Sequence, residues 1–88
     1  MESTTQIYNL SANYDSRKSF YGKAEVLIEG DKVMLRSYST IVACIEGDKA
    51  EVYGWYSNTT GRHIKEFLLQ NGFEAKNKNQ IMEDYFKK

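Results

Sequence analysis

The sequence contains no proline, one cysteine, one histidine and no excess of charge of either sign. Cys44 alone cannot form an internal disulfide, and a lone thiol in a small protein is typical of a reducing compartment. We therefore expect a cytoplasmic protein. The 12 basic and 12 acidic residues cancel to a formal net charge of zero, which argues against a function that depends on a large overall electrostatic field.

Long hydrophobic runs and ligand signatures are also missing. The longest mainly apolar stretch, 41–45, is far shorter than the roughly 20 residues that a membrane-spanning helix needs. The first residues do not have the basic segment and apolar run of a secretory signal. One histidine and one cysteine without ligand-like spacing do not make a zinc site. We expect no membrane partner, no metal and no cofactor.

A repeated five-residue segment is the most informative feature that is present. The letters IEGDK occur at 28–32 and again at 45–49. A Gly-Asp pair between two alternating runs predicts a two-residue hairpin turn, since glycine adopts the positive φ that such turns require. With 88 residues, 41% of them hydrophobic, the chain predicts one globular domain over 1–88 that contains two related hairpins.

The two turns fix the pairing within each hairpin. The predicted partners are Glu29 with Lys32, Ile28 with Val33, Val26 with Leu35, Glu25 with Arg36, Ala24 with Ser37, Glu46 with Lys49, Ile45 with Ala50, Ala43 with Val52 and Ile41 with Gly54. How the hairpins join stays open, because a loop of two or three residues at 38–40 would change the buried face. Strands are expected over 22–29, 32–38, 40–46 and 49–56, with a fifth strand at 6–10 left open.

Helical periodicity follows the strands. Apolar residues at helical spacing predict a helix over 60–71, and Asn71-Gly72 supplies a stop signal at its end. Asn77 with Gln80 three residues later resembles a capping box and predicts a short helix over 78–87. The predicted fold class is α+β: an antiparallel four- or five-stranded β-meander of two related hairpins over 22–56, followed by two helices packed on the sheet.

Polar side chains concentrate where the first helix begins. Free amides and the helix dipole attract anions there, so the sequence suggests anion binding by Thr59, Thr60, Arg62, His63 and Lys65. The simpler alternative is that the hydroxyls only cap the helix. A nucleophilic pair of His63 with Ser39, Ser57 or Thr60 is not favoured, because no strained nucleophile turn is visible. We predict no catalytic residues.

Aromatic residues are more numerous in the sheet half than a small core needs. An exposed set of tyrosine and tryptophan side chains is typical of a protein interface or of a stacking surface for bases. The plain alternative is ordinary packing at the surface of a small sheet. The predicted partner-binding residues are Tyr14, Arg17, Tyr21, Tyr38, Trp55 and Tyr56.

The segments at 14–24, 38–40 and 56–67 together resemble a group of short uncharacterised proteins of Firmicutes and their phages. The most recognisable part is the pattern Tyr-Ser-x-Thr-Thr-x-Arg-His-Ile-Lys-x-Phe, which begins here at Tyr56. This resemblance spans about 14–73 and implies no known activity. It implies an accessory protein of a mobile genetic element, and small proteins of that origin often block host defence machinery such as CRISPR effectors. Many such inhibitors are acidic DNA mimics, whereas this chain is neutral.

The favoured function is therefore a small non-enzymatic binding protein, encoded by a phage or mobile element, that blocks a host protein or nucleoprotein. The alternative is a small nucleic-acid-binding module that uses the sheet aromatics and the basic helix start. Monomer and homodimer both stay open, because an edge strand can pair with a second copy.

Overall fold

The computed structural model describes residues 6–10 and 23–87, which form a five-stranded antiparallel sheet followed by two helices. The strands are β1 (Gln6–Asn9), β2 (Ala24–Glu29), β3 (Lys32–Ser37), β4 (Thr40–Glu46) and β5 (Lys49–Val52). The helices are α1 (Asn58–Gln70) and α2 (Lys78–Tyr85). Spatial order in the sheet equals chain order, so the predicted α+β meander is confirmed and has five strands.

Both hairpins have the predicted turn and register. The pairings from Ala24 with Ser37 to Glu29 with Lys32, and from Ala43 with Val52 to Glu46 with Lys49, occur as expected. The first turn residues, Gly30 and Gly47, have φ values of 59° and 64°. This conformation suits glycine at the first central position of a hairpin turn.

The join between the hairpins is a two-residue turn, Tyr38-Ser39. Ser37 pairs with Thr40, Arg36 with Ile41 and Leu35 with Ala43, so Val42 is the extra residue of a β-bulge. Such a bulge changes the alternation of side chains along one strand. The bulge lets Val42 lie buried while Ala43 and Ile45 also face the helices. This answers the question of register that the sequence left open.

The predicted strand over 49–56 is too long, because pairing with β4 ends at Val52 and Gly54 does not pair with Ile41. Tyr53 donates one more bond to the carbonyl of Val42 at 2.8 Å. Beyond it the chain turns sharply: Ser57 N–H donates to the carbonyl of Trp55 at 2.7 Å, and Tyr56 has a φ of 63°. These bends direct the chain away from the sheet and into α1.

Helix α1 begins and ends with recognisable caps. Ser57 is the N-cap, and its Oγ accepts from the Thr60 amide at 3.1 Å, so α1 starts two residues before the predicted 60. At the other end Gly72 has a φ of 83°, and the Phe73 amide donates to the Leu68 carbonyl at 2.9 Å. That bond is the one expected when glycine ends a helix and an apolar residue follows.

Helix α2 ends at Tyr85 rather than at 87. The Asn77 side chain accepts from the Gln80 amide at 2.8 Å and thus confirms the predicted start. After Tyr85, Phe86 is extended and forms a parallel bridge with Val52, while the Lys87 amide donates to the Val52 carbonyl at 2.9 Å. Pairing with the free edge of β5 therefore ends the helix.

The core lies between one face of the sheet and the two helices. The sheet contributes Val26, Leu35, Ala43, Ile45 and Val52, and the helices contribute Ile64, Phe67, Leu68 and Ile81. The opposite face of the sheet has half-buried Leu27, Met34 and Cys44 and an ion pair in which Arg36 Nε donates to Glu25 Oε1 at 2.9 Å. Within 6–10 and 23–87, no helix is long and apolar enough to cross a membrane.

Candidate functional site

The sheet has two different ends, and the candidate residues lie at one of them. The glycine end holds the turns at Gly30 and Gly47. The tyrosine end holds the turn at Tyr38 and the connection through Trp55 and Tyr56 into α1. The antiparallel order of the strands places these turns at opposite ends of the sheet.

Tyr38 and Tyr56 share an unusual combination of backbone conformation and exposure. They are the two non-glycine residues with positive φ in the described part of the chain, at 59° and 63°. Their side chains are 53% and 64% exposed. Bulky residues rarely adopt the left-handed region, where contact between Cβ and the backbone costs roughly 1–2 kcal/mol. Both tyrosines therefore sit in strained backbone without the compensation of full burial.

A buried polar cluster lies directly beneath Tyr38. Ser37 Oγ is 2.9 Å from His63 Nδ1 and 3.0 Å from Thr60 Oγ1. Ser57 Oγ, the N-cap oxygen, donates to Thr60 Oγ1 at 3.3 Å. The Tyr38 and His63 rings lie 6.1 Å apart between centroids. The cluster connects the end of β3 to the first two turns of α1, so it fixes the helix start relative to the Tyr38 turn.

The predicted anion-binding residues do not form one surface. Thr60 and His63 are buried, at 4% and 0% exposure, and contact Ser37. Thr59 is half-buried, whereas Lys65 is exposed. Arg62 and Lys65 lie together on another side of α1, where they line a groove with residues from the start of α2.

This basic groove has a volume of about 390 Å³. Its lining consists of Trp55, Asn58, Gly61, Arg62, Lys65, Lys76, Asn77 and Lys78. Four of these side chains are basic and none is acidic. Neither helix has an acidic residue in its first turn, so no carboxylate there offsets the positive end of either helix dipole.

Trp55 forms the wall of the groove and depends on a glycine of α1. A Cβ at Gly61 would overlap the indole ring, so the ring packs directly on the helix backbone. Glycine inside a helix costs roughly 1 kcal/mol relative to alanine, but at position 61 a side chain would displace the Trp55 ring. Lys78 Nζ lies 5.9 Å from the centre of the same ring, within range of a cation–π contact.

Three predicted partner-binding residues, Tyr14, Arg17 and Tyr21, lie outside the described residues. The other three, Tyr38, Trp55 and Tyr56, belong to the tyrosine end. Tyr38 and Tyr56 are exposed, whereas Trp55 is half-buried and lines the groove. Across 6–10 and 23–87, no group of three or more histidine, cysteine or acidic residues is placed to hold a metal ion.

Three residues of this region were not predicted from the sequence. Ser37, and not Ser39, contacts His63 at hydrogen-bond distance. Lys76 and Lys78 join Arg62 and Lys65 in the groove. The capping signal at Asn77 located the start of α2, but only the tertiary packing of α2 beside α1 brings the four basic residues together.

The chain belongs to a family of unknown function (DUF8033), whose model matches residues 8–84. No curated protein and no solved structure matches the chain. The matched range includes all of α1, the tyrosine end and the basic groove.

Proposed function

We propose that this member of a family of unknown function is a small non-enzymatic binding protein that contacts a host protein or nucleoprotein through Tyr38 and Tyr56. It acts in the cytoplasm, is encoded by a phage or other mobile element, and inhibits its partner in the manner of an anti-CRISPR protein. The observation that carries the proposal is the pair of exposed tyrosines in strained left-handed backbone.

The other two hairpin turns have glycine where the turn at 38–39 has Tyr38. Glycine occupies the first turn position of the other two hairpins, at 30 and 47, with nearly the same φ. Glycine at 38 would remove the strain without removing a buried side chain. The left-handed backbone at Tyr38 costs free energy that a glycine would not lose, which favours a role for the tyrosine side chain in binding. Backbone outliers of this kind cluster at binding sites.

The chemistry of tyrosine supports a protein partner. Its ring gives a large contact area with few rotatable bonds, and its hydroxyl provides a hydrogen bond at the edge of the contact. Tyr38 and Tyr56 expose such surfaces at one end of the molecule, where the buried contacts of Ser37 with Thr60 and His63 hold the turn. A preorganised surface loses less conformational entropy on binding.

The burial of His63 supports a non-catalytic role. Ser37 and His63 are within hydrogen-bond distance, as a nucleophile and a base would be, but their exposures are 2% and 0%. A substrate that must reach the serine oxygen needs an open path, and the pair instead joins β3 to α1. The same contact acts as a structural link.

The test is affinity capture with the tagged protein from a bacterial lysate that expresses CRISPR effectors, with and without nuclease, followed by mass spectrometry. We compare the wild type with Tyr38→Gly and Tyr56→Gly. The matched control is Tyr8→Ala, which removes a tyrosine that is 49% exposed on the edge strand β1. The captured effector is then purified, and its affinity and DNA cleavage are measured.

We expect an effector that stays bound after nuclease treatment and is inhibited by the wild type and by Tyr8→Ala. Removal of a central aromatic contact typically costs at least about 2 kcal/mol, so each glycine variant should bind roughly 30-fold more weakly. Unchanged binding by both folded glycine variants would contradict the assignment of this surface. Loss of the captured protein on nuclease treatment would instead indicate contact through nucleic acid.

A further inference from the structure

The basic groove is a second surface, separate from the exposed rings of Tyr38 and Tyr56. Its positive charge comes from two parts of the chain that only the tertiary fold brings together. Arg62 and Lys65 belong to α1, whereas Lys76 and Lys78 flank the N-cap of α2. A chain with zero net charge thus concentrates a third of its 12 basic residues around one groove of about 390 Å³.

The acidic residue that pairs with Lys76 does not cancel the charge of that lysine. Glu74 Oε2 lies 3.2 Å from Lys76 Nζ, but the two side chains are 58% and 70% exposed, so solvent screens the pair. Lys65 and Lys78 are exposed.

A second groove lies along the edge of β5 and has a different charge composition. It is larger, at about 560 Å³, but its lining mixes Lys49 and Lys87 with Asp48, Glu51 and Asp84.

The indole of Trp55 adds a flat ring to the cationic lining. One side of the ring packs against Gly61, and Lys78 Nζ is 5.9 Å from the ring centre. The indole is half-buried, and Trp55 lines the groove. Cations beside an aromatic ring are the combination by which proteins hold single-stranded nucleic acid, since the cations bind phosphates and the ring stacks on a base.

We propose that the groove lined by Trp55, Lys65 and Lys78 binds the phosphodiester backbone of single-stranded nucleic acid. Arg62 and Lys76 also line the groove and add positive charge. The contact covers few phosphates, because only four basic side chains line the groove. Affinity is therefore modest and falls as salt concentration rises.

The test uses a fluorescein-labelled oligo(dT) of about 20 nucleotides and fluorescence anisotropy between about 50 mM and about 200 mM salt. We compare the wild type with Lys65→Ala/Lys78→Ala. The matched control is Lys32→Ala/Lys49→Ala, which removes the same charge at exposed positions of the glycine end. Thermal unfolding of each variant shows that it is folded.

For the wild type we expect a linear decrease of log affinity with log salt, with a slope no steeper than about −3 for four phosphate contacts. The groove variant should bind at least about tenfold more weakly, and its slope should be smaller by about 1.4 because two contacts are lost. The Lys32→Ala/Lys49→Ala control should bind like the wild type. Trp55→Phe should weaken binding by a smaller factor without changing the slope.

Three results would overturn this inference. One is no binding of oligo(dT) at the lowest salt, and another is an equal loss of affinity in the groove variant and its control. The third is equal affinity for a poly-glutamate peptide, which would show that the groove accepts any polyanion. Tyr38→Gly should leave oligonucleotide binding unchanged, so failure here is distinguishable from failure of the proposed protein contact.

Discussion

The chain adopts positive φ at both ends of the sheet, but with different residues at each end. At the glycine end, Gly30 and Gly47 carry the positive φ, and a Cβ built on either one would meet nothing within 4 Å. At the tyrosine end, Tyr38 and Tyr56 carry φ values in the same range with large exposed side chains. The chain therefore reverses without backbone strain at the glycine end. The tyrosine end has strained backbone and an exposed aromatic surface, as expected of a binding site.

The largest expected effect concerns the cluster that holds the tyrosine end in place. Ser37→Ala removes the hydroxyl that contacts both His63 Nδ1 and Thr60 Oγ1 in a buried setting. Loss of a buried partner costs about 1–3 kcal/mol, and we expect that loss in the free energy of unfolding measured in urea. Ser39→Ala is the control, since Ser39 is exposed in the adjacent turn. Equal stability of the two variants would mean that the cluster does not hold this end.

Local signals in the sequence were sufficient for most of the fold. The two IEGDK turns fixed the register of both hairpins, and the capping signals located both helices to within a few residues. These features depend on contacts between residues close in the chain. The bulge at Val42 and the early end of β5 at Val52 were not predictable, because they depend on where α1 and the Phe86 segment pack.

The site was less predictable than the fold for the same reason. The sequence indicated the residues around the start of α1, and the structure places Arg62 and Lys65 in a groove there. The sequence also suggested anion binding by His63, but His63 lies on the same face of α1 as Ile64 and Phe67, where it is buried. Ser37 and His63 are 26 positions apart in the sequence, so a pattern of neighbouring residues does not predict their contact.

Gly47→Ala and Tyr38→Gly should change the free energy of unfolding in opposite directions. Gly47→Ala places a Cβ in left-handed backbone and should lower the free energy of unfolding by about 1–2 kcal/mol. Tyr38→Gly removes such a Cβ and should leave that free energy unchanged or raise it by up to about 1 kcal/mol. Urea unfolding of the two variants beside the wild type measures both. A marked loss of stability in Tyr38→Gly would show that the ring stabilises the fold through His63, and the positive φ of Tyr38 would then not indicate a binding site.

The smallest expected effect concerns Tyr53, a third tyrosine near the tyrosine end, whose side chain is half-buried rather than exposed. Half-buried Tyr53 follows β5, and burial is the main cause that raises its pKa above 10.0, with Cys44 and Glu51 adding to the effect. Because the folded state keeps the Tyr53 proton to higher pH than the unfolded state, the contribution of Tyr53 to stability is present below pH 10 and is lost as pH rises through the folded pKa. Tyr53→Phe removes the titrating group but keeps the ring. The decrease in unfolding free energy between about pH 9 and about pH 11 should therefore be smaller in Tyr53→Phe than in the wild type. An equal decrease would mean that the Tyr53 hydroxyl is solvated in the folded state, and that Tyr53 belongs with the exposed tyrosines.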